Sequence, residues 1–74
     1  MKEKLLMYRC HNLDGAKKLF NMFQNMKLDN LDRKQFFDIY NRCERNVLFC
    51  VRFNTWQIIL PDCNLFDGEI IEMK

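Results

Sequence analysis

Residues 47–60, VLFCVRFNTWQIIL, hold one charge, Arg52. β-branched and aromatic residues flank Asn54-Thr55 at the spacing of a hairpin. Asn accepts positive φ and Thr resists it, so the two-residue turn competes with a slightly longer loop. With the turn at Asn54-Thr55, Phe53 faces Trp56, Val51 faces Ile58 and Phe49 faces Leu60. Those six make one continuous apolar face, the natural floor for packed helices. The other face carries Leu48, Cys50, Arg52, Gln57 and Ile59, too apolar for open water and too polar for a deep core. Pro61 ends the second strand, because proline cannot donate to a ladder.

Two amphipathic segments can cover that floor. In GAKKLFNMFQNMK, Ala16, Leu19, Phe20, Met22, Phe23 and Met26 fall on one side, with Lys17, Lys18, Asn21, Gln24 and Asn25 opposite. Asn12 or Asp14 caps a helix beginning near Gly15. The polar side has too few bases for a membrane-surface helix. In LDRKQFFDIYNRCERN, Asp32 is the cap and Gln35 completes a capping box, while Leu31 and Phe36 form a hydrophobic staple. This helix buries Phe36, Ile39, Tyr40 and Cys43, with Asn46 as its stop residue.

Residues 4–10, KLLMYRC, read as a strand, and 69–73 as an edge strand protected by Glu69 and Glu72. The fold class is therefore α+β: a small two-layer domain over 1–74, two helices on an antiparallel sheet, in the order β-α-α-β-β-β. Seven Phe, two Tyr, one Trp and five Met against a single Ala give a short chain the burial it needs.

Charge is uneven but weak. Residues 1–37 carry eight bases and four acids, and residues 38–74 four bases and six acids, for a net +2. That excludes a polyanion-binding tail and a nucleic-acid mimic. No apolar run reaches membrane-spanning length, and the start lacks a secretory cleavage pattern, so cytoplasmic residence is expected. In that compartment Cys10, Cys43, Cys50 and Cys63 stay reduced and pack as small apolar groups. Their gaps of 32, 6 and 12 residues do not match the close ligand pairs of structural zinc.

No catalytic constellation emerges. There is no Ser, and the single His11 follows Cys10, so on a strand the two point to opposite faces. No Gly-rich phosphate loop exists, and a domain this small has little room for a substrate pocket. The stretch from Asp29 lacks the Gly and terminal Glu of a calcium loop. A helix-turn-helix reading fails because the second helix would bring Asp38 towards phosphate. No enzyme, cofactor or metal is expected.

The expected function is a small protein-binding module, an inhibitor or accessory subunit, acting on a protein partner or by self-association as a homodimer. Its contact residues are expected on the less buried sheet face, Leu48, Arg52, Gln57 and Ile59, and at the edge of the second helix, Arg33 and Phe37. Abundant Asn, Lys, Ile and Phe point to an AT-rich coding source such as a virus or mobile element. The alternative is a weakly basic nucleic-acid-binding or transcription-regulating domain, with bases gathered in the first half and aromatics for stacking.

Overall fold

The computed structural model describes residues 3–60, 62 and 66–74. The chain runs through β1 (Glu3–Lys4), β2 (Met7–Cys10), α1 (Leu13–Met26), α2 (Arg33–Cys43), a 3-10 turn (Glu44–Asn46), β3 (Leu48–Arg52), β4 (Thr55–Ile59), β5 (Phe66–Asp67) and β6 (Ile70–Met73). Four strands form a sheet in the order β4-β3-β2-β6, and β1 and β5 form a separate parallel pair. The main sheet with its two helices is the expected β-α-α-β-β-β arrangement. It is mixed, because β6 pairs parallel with β2 while the other pairs are antiparallel. Among the described residues, no helix is long and apolar enough to cross a membrane.

Local chemistry sets the helix ends. Asn12 accepts the Gly15 amide at 2.7 Å, and α1 starts at Leu13, two residues ahead of expectation. Asp32 caps α2 by accepting the Gln35 amide at 3.2 Å, as expected. The stop residue is Glu44 at φ 50°, not Asn46, and the chain tightens there into the 3-10 turn. Met26 is exposed at the end of α1, so the buried stripe closes with Phe23.

Phe36 is the centre of the core. Its ring lies 4.9 Å from Phe49, 5.6 Å from Trp56, 5.4 Å from Phe20 and 6.0 Å from Phe23. These contacts seat α2 over β3 and β4. Tyr8 meets Phe23 edge-on at 6.0 Å, which seats α1 over β2. Aromatic pairs in such tilted and edge-on arrangements add about 0.5–1.5 kcal/mol each beyond their burial.

The sequence reading of the first strand is corrected: 4–10 is broken at Leu5–Leu6 into β1 and β2. The second sheet face is also corrected. Leu48 is 4% exposed and Ile59 7%, and they join Met7 and Cys50 in a second apolar cluster with Leu5 packed against it. The face expected to stay half open is a core in its own right.

β6 is fastened by charge. Glu72 accepts from Arg9 at 3.2 Å with one oxygen and meets the His11 ring with the other. The His11 hydrogen bond, opposed in part by desolvation and helped by the charges of Arg9, His11 and Lys74, holds the Glu72 carboxyl below its ordinary range. A carboxylate depressed in the folded state contributes stability above its unfolded pKa, and that contribution disappears as pH falls through the folded value. Glu72→Gln is therefore expected to lower stability at neutral pH, and urea titrations should show its deficit shrinking steadily from about pH 4.5 downwards. A deficit unchanged in acid would mean the pair contributes nothing through ionisation.

Candidate protein-contact surface

The hairpin places its turn one residue earlier than the sequence predicts. The central residues are Phe53 and Asn54, at φ 53° and 60°. Arg52 pairs with Thr55, Val51 with Trp56, Cys50 with Gln57, Phe49 with Ile58 and Leu48 with Ile59. Thr55 thereby avoids positive φ and its hydroxyl donates to the Arg52 carbonyl at 2.7 Å. The shift keeps Phe49, Val51, Trp56 and Ile58 on the helix side, because each partner moves by two places. It expels Phe53 from the predicted floor to the tip, where it is 82% exposed, and leaves Leu60 at 59%.

The loop between the helices holds this tip. Asn54 donates to Asp29 Oδ1 at 3.0 Å and to the Lys27 carbonyl at 3.4 Å, and its own carbonyl accepts the Asp29 amide at 2.9 Å. Asn30 does more. Its side-chain amide accepts from the Trp56 N–H and donates to the Trp56 carbonyl, both at 2.9 Å, as a neighbouring strand would. The Trp56 indole N–H donates to the Asn30 carbonyl at 3.2 Å. Thus Phe53 projects from a turn held in place on one side by three loop residues, Lys27, Asp29 and Asn30.

The expected contact residues separate into two groups on opposite layers. Arg33 and Phe37 do come together: the Arg33 guanidinium lies 5.6 Å from the Phe37 ring centre and 5.4 Å from that of Phe20. Phe37 is half-buried at the seam of the two helices. Leu48, Arg52, Gln57 and Ile59 share one sheet face by register, as read from the sequence. Leu48 and Ile59 are removed from the contact set by burial, which leaves the half-buried Arg52 and Gln57. Arg52 turns towards the tip, its guanidinium 4.9 Å from the Phe53 ring centre.

Sequence reasoning missed Phe53 and Asn30. The signal for Phe53 was the pair Asn54-Thr55 itself, since Asn serves the second central position as well as the first and Thr serves neither. Asn30 had no local signal, because its partner lies 26 residues away.

Other groups show little chemistry. Cys10 and Cys43 are free thiols; Cys63 lies outside the described residues. Burial pushes the Cys10 thiol up to about 12, where it is protonated and unreactive near neutrality. Among the described residues no cluster of His, Cys, Asp and Glu could hold a metal ion. An open cavity of ≈ 370 Å³ does exist, despite the chain's size, on a flank of α2 between Asp32, Lys34, Gln35, Asp38, Ile39 and Arg42. It lines one helix rather than converging on a reactive group.

Comparison with known proteins finds no matching family model, no matching curated protein and no matching solved structure. Function must be argued from this chain's own geometry.

Proposed function

We propose that the chain is a small, non-enzymatic protein-binding module, an inhibitor or accessory subunit, that engages its partner through the β3–β4 hairpin tip. One observation carries this reading: Phe53 is 82% exposed while held at φ 53°. A left-handed backbone costs a residue with a Cβ about 1–2 kcal/mol. An exposed aromatic ring gains nothing from burial to offset that cost. Asn or Gly would serve the turn better on both counts. Strain kept at an exposed aromatic is the mark of a residue retained for contact. Arg52 stacked beside it adds the other residue type that most often anchors interfaces. Reduced, buried thiols fit a cytoplasmic setting.

Phe53→Asn separates contact from stability. The variant is expected to be more stable by about 1 kcal/mol, a rise in Tm of roughly 4–8 °C for a domain this size. It should at the same time lose most of its capture of a protein partner from an extract of the source cells. A variant that captures the same protein as the parent overturns the reading. So does captured material that proves to be nucleic acid released by raised salt.

A further inference from the structure

We propose that β6 is an acid-released strap, which leaves the edge of β2 by swinging about Gly68 while the helices and strands β2, β3 and β4 stay folded. The proposal is independent of the Phe53 tip. Each other strand of the main sheet puts at least two residues into the core: Met7, Tyr8 and Cys10 from β2, Leu48, Phe49 and Cys50 from β3, Trp56 and Ile59 from β4. β6 puts in none. Ile70 and Glu72 are exposed, and Ile71 and Met73 are only half-buried against the helix-side cluster. The ring contacts centred on Phe36 belong to the helices, β3 and β4. An outer strand with little buried surface is the kind of unit that opens at least cost while the core stays intact. β6 also joins β2 in parallel, the slightly weaker of the two ladder geometries.

Polar links at the surface do most of the fastening. The Met7 amide donates to the Glu69 carbonyl at 3.0 Å and the His11 amide to the Met73 carbonyl at 2.9 Å. Glu72 accepts from Arg9 and meets the His11 ring, and Lys18 Nζ donates to the Lys74 carbonyl at 2.7 Å. The chain's two glycines stand at the two ends of this strap. Gly15 lets the Met73 carbonyl sit directly against α1, and Gly68, at φ 147°, carries the chain past the Leu5 backbone into β6. Glycine at that φ gives the backbone freedom a hinge uses.

Glu72 is the group on which acid acts. Arg9 and His11 face it from β2 and Lys74 from its own strand, while α1 contributes Lys18 at the Lys74 carbonyl. The His11 hydrogen bond above all holds the Glu72 carboxyl below its ordinary range. Its contribution to holding the strap is therefore complete near neutrality and is lost as pH falls through the folded value. Protonation removes the acceptor that Arg9 and His11 share and leaves two neighbouring groups, both cationic in acid, without a counter-charge. The core has no such dependence, because among the described residues its buried side chains are all apolar or aromatic.

The test is an NMR titration of the unmodified protein from about pH 7 to about pH 2.5. The Ile71 and Met73 methyl signals are expected to reach their unfolded positions with a midpoint below about 4.5, while the Trp56 indole N–H, bonded to Asn30, keeps its native shift. Near neutrality the Met7 and His11 amides should be roughly tenfold or more less protected from exchange than the Trp56 amide, which Asn30 holds. Glu72→Gln, at an exposed position, should stay folded by circular dichroism yet let the His11 amide exchange about fivefold or more faster than in the parent. A single transition in which the strap and Trp56 signals are lost together overturns the proposal. So does a strap that keeps its native signals throughout, or a Glu72→Gln variant whose His11 amide exchanges as in the parent.

Discussion

Alanine in place of Trp56 is expected to leave the protein largely unfolded at room temperature. Trp56 is buried, its ring meets Phe36 at 5.6 Å and Phe49 at 5.9 Å, and its indole N–H is satisfied by the Asn30 carbonyl. Truncation removes the contacts of an aromatic side chain, leaves a cavity against Phe36, and orphans a carbonyl acceptor. Removal of a buried Phe or Trp typically costs about 3–5 kcal/mol. A domain of this length has total stability of similar size, at roughly 0.05–0.15 kcal/mol per residue. Equilibrium urea unfolding, followed by far-ultraviolet circular dichroism, measures the loss. A midpoint within error of the parent would place Trp56 outside the core and undo the account of how α2 is seated.

Gly15→Ala is the second large effect, and here two terms oppose each other. Alanine in a helix gains about 1 kcal/mol over glycine. Against that, a Cβ at position 15 would collide with the Met73 carbonyl oxygen and lie 2.6 Å from the Met73 carbonyl carbon. Both are backbone atoms of β6, so no side-chain rotation relieves the clash; strand and helix must part. Over-packing costs about 1–3 kcal/mol and more where backbone must move. The clash should win. The expected signature is local: faster exchange at the His11 amide, which donates to Met73 at 2.9 Å, together with a lower Tm. A variant more stable than the parent would show that α1 can ride further from β6 without penalty.

These two residues show what the sequence could and could not reveal. Trp56 was legible as core, because strand alternation needs only neighbours in the chain. The Asp32 cap was legible for the same reason: cap, amide and staple lie within one turn of helix. Gly15 was read only as a helix start, since the strand it touches is nearly sixty residues away. The hairpin register was read one residue late although Thr55, which resists positive φ, was a local signal for the earlier turn; the loop residues that hold the turn, Asp29 and Asn30, lie too far along the chain for a local pattern to contain them. The closed second face failed for a related reason. Leu48, Cys50 and Ile59 have the right parity for an exposed face, but Met7 and Leu5 come from the other end of the chain to complete a cluster there. Of the expected contact residues, Arg33 and Phe37 were placed correctly at a helix edge. Arg52 was placed on the right strand, though not beside the ring that gives it meaning.

The parallel pairing of β2 with β6 has a consequence for assembly in time. Arg9 and Glu72 stand 63 residues apart, so this pairing closes nearly the whole chain. The α1–α2 hairpin and the β3–β4 hairpin need only short loops, and local contacts form faster than distant ones. β2, although interior in the finished sheet, is unpaired on its β6 side until the last strand arrives. Until then the molecule carries an open, apolar strand edge at its middle. The interval before β6 docks is therefore when this chain is most exposed to mispairing with its neighbours, and the charges of Arg9, His11 and Glu72 stand at that late joint.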